Sequence, residues 1–312
     1  MKLADLKNYK IPDQPGVYFF LNSKKEILYV GKATSLKSRV RSYFSPDLYQ
    51  ARGPITVEMV ARAKNLKWET TPTVLEALIL EANSIKKFQP AYNIKEKDDK
   101  SFNYVVITRP ARNATHSVAG GDELPKVIIV RGRILGKYKG STFGPYTSGP
   151  QLREALKIIR RIFPYLDDKS KNYLEFYRQI NLVPDLNDKT LYLENIKNIK
   201  LFLSGRKKEM LRNLKREMKN RAKAREFEKA GELKRQLFAL QHINDISLVK
   251  EENLKPKTFR IEAYDIAHMS GKSMVGVMTV VEGQEAQKSE YRKFRIRTQT
   301  GANDTGALGE VI

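Results

Sequence analysis

The first 93 residues hold side chains of the types that phosphodiester hydrolysis needs. Tyr18 and Tyr29 stand in the triplets Gly16-Val17-Tyr18 and Tyr29-Val30-Gly31. Lys32 follows directly, Arg39 and Tyr43 are four residues apart, and Glu76, Glu81 and Asn93 come later. Such a hydrolase needs a base for water, a cation against the charge growing at phosphorus, and a carboxylate to hold a divalent metal. This segment has a candidate for each. Other hydrolytic chemistries lack their parts: there is no Ser-His-Asp set, no glycine-rich phosphate cradle, and only three histidines in the chain. Taken alone, two tyrosines in a hairpin are more often packing than chemistry, so the surrounding elements must decide.

Residues 16–21 and 27–31 are β-rich, with "NSKKE" as the turn between them, which predicts a hairpin. If the register allows, both phenols face one cleft. "TSLKSRVRSYF" predicts a helix with Thr34 or Ser35 as its N-cap and Leu36, Val40 and Phe44 at helical spacing, which sets Arg39 and Tyr43 on one face. A second helix over "ITVEMVARAK", a strand over "LKWETT" and a long helix over "TVLEALILEANSIKKF", closed by Pro90, complete a small α/β unit ending near Asp99.

Beyond it, "YVVIT" and "KVIIVRG" read as strands around the loop "PARNATHSVAGGDELP", and "SGPQLREALKIIRRIF" as a helix. Residues 169–205 are polar and asparagine-rich, at most a helical connector. Residues 206–243 carry two apolar stripes, Leu211, Leu214 and Met218, then Leu233, Leu237 and Leu240, with a bend near Ala224 to Phe227. That is the pattern of an αα-hairpin. The end of the chain reads as three antiparallel strands, with "EGQ" as the last turn, and "QTGANDTGALGEVI" is expected to be too short to cover the apolar face of such a sheet. The fold class expected is α+β and multidomain.

The 312 residues carry a net charge of +23, spread along the chain, with thirteen Lys or Arg against five Asp or Glu between Arg206 and Arg235. Such a surface attracts polyanions, nucleic acid first. A membrane is the weaker reading, because no charged-then-apolar leader opens the chain and its apolar runs, such as "VGVM" and "LFAL", are too short to span a bilayer. With no cysteine there is no disulfide, thiolate-bound zinc or iron-sulfur cluster. A cytoplasmic location is expected.

Together "IPDQPGVYFF", "LYVGKATSLKSRVRSYF", "LEALILEANSIKKFQPAYNIKEKDDKSF", "TFGPYTSG" and "YDIAH" make the chain, from about Ile11 to its last residue, resemble the GIY-YIG nucleases and, in module order, the UvrC family of the bacterial excision nuclease. The resemblance implies a GIY-YIG nuclease domain with an antiparallel sheet over 11–99 and an α/β middle module over 100–205. It further implies a UVR helical hairpin over 206–243 that docks on UvrB, and a truncated RNase H-like β segment over 256–312. It makes Tyr29 the general base, Glu81 the ligand of one Mg²⁺ or Mn²⁺, and Arg39 the transition-state cation. Lys32, Tyr43, Tyr18 and Asn93 would orient water, phosphate or the other side chains. Glu76 drops out because the family's ligand lies twelve residues before the asparagine, as Glu81 does. A phenol ordinarily titrates near about 10, so Lys32 or a metal-bound water would have to assist the base.

The implied function is a DNA endonuclease subunit of nucleotide excision repair, recruited by UvrB, and indirectly UvrA, to a damaged duplex and cutting 3′ to the lesion. The alternatives are a catalytically inactive protein that binds DNA and docks on UvrB, or a free-standing GIY-YIG endonuclease. The joint presence of Tyr29, Arg39 and Glu81 speaks against the first, and the hairpin at 206–243 against the second. The chain departs from the family where a cysteine cluster is common, after "FGPY". Residues 164–190 are therefore expected to be held by packing alone. Asp265 in "YDIAH" would be the first catalytic aspartate of the RNase H-like module, but Glu282, Glu285 and Glu290 do not match the family's later carboxylates, so no cleavage is expected from residues 259–312.

Overall fold

A computed structural model describes residues 3–96, 102–109, 124–168, 170, 174–180, 182–183, 189–243, 248, 260–269, 273–282, 285–286, 290–298 and 303–311. The chain divides into two compact units, Met1–Glu251 and Glu252–Ile312.

In the first unit, β1 (Gly16–Leu21) pairs antiparallel with β2 (Ile27–Ala33) on one side and β3 (Asn65–Thr70) on the other. The strand order β2-β1-β3 leaves β2 at the edge. Side chains alternate across a strand. Tyr18, Phe20, Tyr29 and Ala33 therefore share one face, packed with Leu36 and Val40 of α1 (Leu36–Arg41), Tyr43, and Met59 and Val60 of α2 (Leu48–Arg62). Val17 and Val30 occupy the other face, against Ala77 and Ile85 of α3 (Val74–Phe88). Ser35 is the N-cap of α1, accepting from the Ser38 backbone N–H at 3.1 Å. The helix α2 starts seven residues before the apolar pattern does and is broken by Gly53, whose φ is +77°.

Thr73 and Glu76 cap the start of α3, and Gln89 closes it in the left-handed region, with a φ of +45°, just before Pro90. This helix is buried on more than one side. Ala77 and Ile85 face the sheet, while Val74, Leu75, Leu78, Ile79 and Ala82 enter a second, larger core. That core also contains Val105 of β4 (Asn103–Thr108), Val127 of β5 (Val127–Arg131) and Tyr146 of β6 (Gly140–Tyr146), together with residues of four more helices. These helices are α5 (Gly149–Ile162), α7 (Lys189–Leu203), α8 (Lys207–Lys223) and α9 (Phe227–Gln241). Two short helices, α4 (Ala91–Glu96) and α6 (Leu174–Gln179), complete the unit. One helix thus belongs at once to the small sheet and to the larger core of the same unit.

Several expectations need correction. Strand β6 forms over "GSTFGPY", to which the sequence assigns no element because two glycines and a proline are weak strand formers. Pairing with β4 holds it extended, and Gly140 permits an approach in which a Cβ would lie 2.2 Å from the Ile107 carbonyl oxygen. Residues 189–203 of the asparagine-rich stretch are helical, in keeping with a helical connector, but Asn195 and Asn198 are buried in that helix. The stretch after "FGPY" is not held by packing alone. The Arg160 guanidinium, 8% exposed, donates to the Leu182 carbonyl at 3.0 Å, to Asp167 at 2.7 Å and to Ser170 at 3.1 Å, and lies over the rings of Tyr165 and Tyr177. The loop expected over residues 110–125 falls mostly outside the described residues.

The second unit is an antiparallel sheet of order β10-β8-β7, formed by β7 (Arg260–Met269), β8 (Ser273–Glu282) and β10 (Arg292–Arg295), with the two-residue β9 (Glu285–Ala286) on β8. Asp265 pairs across to Val277. The last residues do cover part of it, contrary to expectation. Helix α10 (Asp304–Val311) sets Ala307 and Val311 against Met274 and Ile266, and Gly276 leaves the room that the Val311 side chain takes.

Candidate active site

The register puts Tyr18 opposite Gly31 and Phe20 opposite Tyr29, so the two tyrosines are diagonal neighbours on one face. Their ring centroids are 6.2 Å apart, and Tyr43, delivered by the turn after α1, lies 5.7 Å from Tyr18 and 6.2 Å from Tyr29. The hydroxyls of Tyr18 and Tyr43 are hydrogen-bonded at 2.8 Å in the interior. The triplet glycines make room for this cluster. A Cβ on Gly31 would lie 2.3 Å from the Tyr18 hydroxyl, and one on Gly16 would lie 2.3 Å from the Glu69 carbonyl oxygen. Gly31→Ala is accordingly expected to destabilise the unit by about 1–3 kcal/mol, the usual range for overpacking a well-filled site. Chemical denaturation checks it, and an unchanged midpoint would show that Tyr18 moves aside freely.

Arg39, on α1, faces these phenols. Tyr18 above all, with Tyr43 and Tyr29 behind it, holds the guanidinium pKa above its usual range although burial pulls the other way. Its Nε is buried with no hydrogen-bond partner among the described residues. A buried donor left unsatisfied costs free energy unless something completes it, and a phosphate oxygen would. Burial, and then Tyr43, push the Tyr18 phenol well above its ordinary range.

Glu81 and Asn93 sit along the free edge of β2. The Asn93 side chain grips Val30, accepting from its N–H and donating to its carbonyl oxygen, both at 2.8 Å. Two residues on, the Lys32 backbone N–H donates to Glu81 Oε1 at 3.0 Å. These side chains do for an edge strand what a further strand would do. Glu81 is 4% exposed. Its other oxygen, Oε2, accepts from the Thr147 hydroxyl at 3.1 Å. The Lys32 side chain leaves the strand on the face of Val30, opposite to Tyr29. Glu76 is occupied elsewhere, paired with Lys207 at 2.8 Å.

The structure therefore groups Tyr18, Tyr29, Tyr43 and Arg39 on one face of the sheet, and holds Glu81, Lys32 and Asn93 at the adjoining edge of the strand that carries Tyr29. Two residues of this neighbourhood escaped the sequence. Arg52 stacks 4.0 Å from the Tyr43 ring centroid and donates to the Ser42 hydroxyl at 2.8 Å. Its only sequence signal is a basic residue just before the break at Gly53. Thr147 comes from the middle of the chain, 66 residues after Glu81, and only the "TFGPYTSG" stretch points to it.

A hard cation such as Mg²⁺ takes oxygen ligands, often one or two carboxylates with water and phosphate completing the shell. Glu81 suits that chemistry, because its two oxygens are fixed in direction by donors from different elements. Among the described residues no three or more His, Cys, Asp and Glu side chains cluster so as to hold a metal.

Residues 14–94 match the family described as UvrC-like GIY-YIG domain, and residues 249–312 the UvrC RNAse H endonuclease domain. UvrABC system protein C of Carboxydothermus hydrogenoformans is 37% identical over 242 residues, 75% of this chain and 37% of that protein. The protein of the same name from Symbiobacterium thermophilum is 31% identical over 310 residues, 96% of this chain and 46% of that protein. The chain thus spans less than half the length of these relatives. A crystal structure of the GIY-YIG N-terminal endonuclease domain of UvrC from Thermotoga maritima, bound to its catalytic divalent cation, magnesium, is 37% identical. It covers 30% of this chain and 99% of its own, with a TM-score of 0.26.

Proposed function

Because the chain belongs to the UvrC family, we propose that it is a metal-dependent DNA endonuclease of nucleotide excision repair, acting through the tyrosine cluster of its first 96 residues. The observation that carries this reading is the arrangement around β2: three phenols and a guanidinium with an orphaned buried donor on its face, and a fixed carboxylate at its edge. Tyr29 serves as base toward water, Arg39 as the cation for the charge that grows at phosphorus, and Glu81 as the ligand of one Mg²⁺ or Mn²⁺. The bound ion would polarise a phosphate oxygen or lower the pKa of water. Tyr43 and Tyr18 hold each other and Arg39 in place. Asn93 fixes the strand segment between Tyr29 and Gly31, and Lys32 presents the N–H that orients Glu81.

The substrate is a damaged duplex, cut 3′ to the lesion, and UvrB is the recruiting partner, with UvrA upstream of it. Helices α8 and α9 support a docking role differently from the sequence pattern. Leu214, Leu233 and Leu240 of the expected stripes are buried in the protein's own core, with Leu211, Met218 and Leu237 packed against it. Among its large apolar side chains, α9 leaves exposed Phe227, at 70%, and Phe238, at 64%. No described helix is long and apolar enough to cross a membrane.

The test is incision of a site-specifically damaged duplex in the presence of UvrA, UvrB, ATP and Mg²⁺. A 3′ cut supports the proposal, whereas retained UvrB binding without any cut favours the non-catalytic alternative. Binding to DNA is expected to be steeply salt-dependent. For six to ten phosphate contacts the loss between 50 and 200 mM salt is about 10³-fold or more, measurable by fluorescence anisotropy.

Tyr18 makes a separate prediction. With its phenol pKa raised by burial, it is neutral at any working pH. Whatever it contributes to stability is fully present below the unfolded-state pKa of about 10 and is lost only as pH rises above it. Tyr18→Phe should therefore leave the shape of the pH–rate profile up to about pH 9 unchanged while costing about 1 kcal/mol of stability for the lost hydrogen bond. A shifted profile would make Tyr18 a titrating participant.

A further inference from the structure

Resting on the reading of Glu81 as the metal ligand, we infer that Thr147 is a positioning residue for that ligand, contributed to the nuclease site by the middle of the chain. Strand β6 lies along α3, with the Lys86 ammonium reaching the Thr142 carbonyl oxygen at 3.5 Å and Tyr146 sharing the α3 core. Thr147 is the next residue. It is held on both sides: Tyr146, 1% exposed, pairs with Asn103 of β4, and Ser148 caps α5 by accepting from the Gln151 N–H at 3.4 Å. A hydroxyl fixed in this way has little freedom. It donates to Glu81 Oε2 at 3.1 Å while the Lys32 N–H donates to Oε1 at 3.0 Å, so the carboxylate plane is set from two directions.

Each carboxylate oxygen has two acceptor sites, so accepting from one donor does not by itself exclude an ion from the same oxygen. Groups that orient a metal ligand in this manner typically matter by about 10–100-fold in metal affinity or activity. Thr147 thereby ties the nuclease site to the "TFGPYTSG" segment: the carboxylate is correctly aimed only while β6 is docked on α3.

The test is Mn²⁺ binding to the full chain, followed by loss of the free-ion electron paramagnetic resonance signal, for wild type, Thr147→Val and Thr147→Ser. Valine keeps the volume and removes the donor, while serine keeps the donor. The expected result is Mn²⁺ affinity weakened about tenfold or more in Thr147→Val and close to wild type in Thr147→Ser. Mn²⁺ binding in Thr147→Val equal to or tighter than wild type would overturn the inference, as would equal weakening in both variants, since packing rather than donation would then be responsible. If the wild type shows no Mn²⁺ binding that Glu81→Ala removes, the reading of Glu81 itself fails, and this proposal with it.

Discussion

Glu81→Ala is expected to eliminate the proposed 3′ incision, lowering its rate by about 10³-fold or more, while the proposed UvrB binding and the fold remain. The magnitude follows from what a divalent ion contributes to phosphoryl chemistry, several kcal/mol of charge stabilisation, at about 1.4 kcal/mol per factor of ten. The fold should survive because Glu81 contributes one hydrogen bond to an edge strand that Asn93 grips twice. Loss of the carboxylate leaves the Lys32 N–H and the Thr147 hydroxyl without that acceptor, a cost of about 1–3 kcal/mol, which thermal unfolding would report separately from the rate. Incision at the wild-type rate in Glu81→Ala would remove the metal from this position.

Arg39→Ala lowers the same incision by about 10²–10³-fold, the range observed when one preorganised donor to a developing anion is removed. Affinity for DNA should fall only slightly, with the salt slope shallower by about one contact. The separation matters, because a plain phosphate-binding arginine would lose affinity without losing rate. Arg39→Lys should not restore the rate. An ammonium lacks the planar fork that lets Arg39 face the phenols while presenting Nε. Rate loss fully explained by weaker binding, as seen under saturating DNA, would reduce Arg39 to a phosphate contact.

The sequence made the nuclease part legible because its signals are local. The hairpin follows from two apolar runs and a short turn, Thr34 or Ser35 announces α1, and a long apolar-periodic run closed by Pro90 announces α3, whereas the hairpin register, with its shift between Phe20 and Leu21, does not follow from them. The reason for the triplet glycines was not legible. It lies in the Tyr18 ring passing over Gly31 and in the Glu69 carbonyl crossing Gly16, contacts between strands. The same limit explains the other misses. Strand β6 gives no strand signal until β4 pairs with it. Arg160 looks like a surface cation on a basic helix until Asp167 and Ser170 fold back on it. The stripes at 211–240 were correctly read as apolar, but nothing local says that they face the chain's own core. Glu81 was separable from Glu76 only through family spacing; the structure adds a physical distinction, since Glu76 caps α3 and pairs with Lys207 while Glu81 reaches the edge of β2.

The central claim is that the edge of β2 brings a metal-binding carboxylate beside a face that carries phenols and a guanidinium. An anomalous-scattering map of crystals of the full chain soaked in Mn²⁺ tests it most directly. The account predicts one strong peak about 2.1 Å from a Glu81 carboxylate oxygen, on the side of the strand where Tyr29 and Arg39 lie. A peak on another carboxylate, or one at Glu81 directed away from Tyr29, would contradict it.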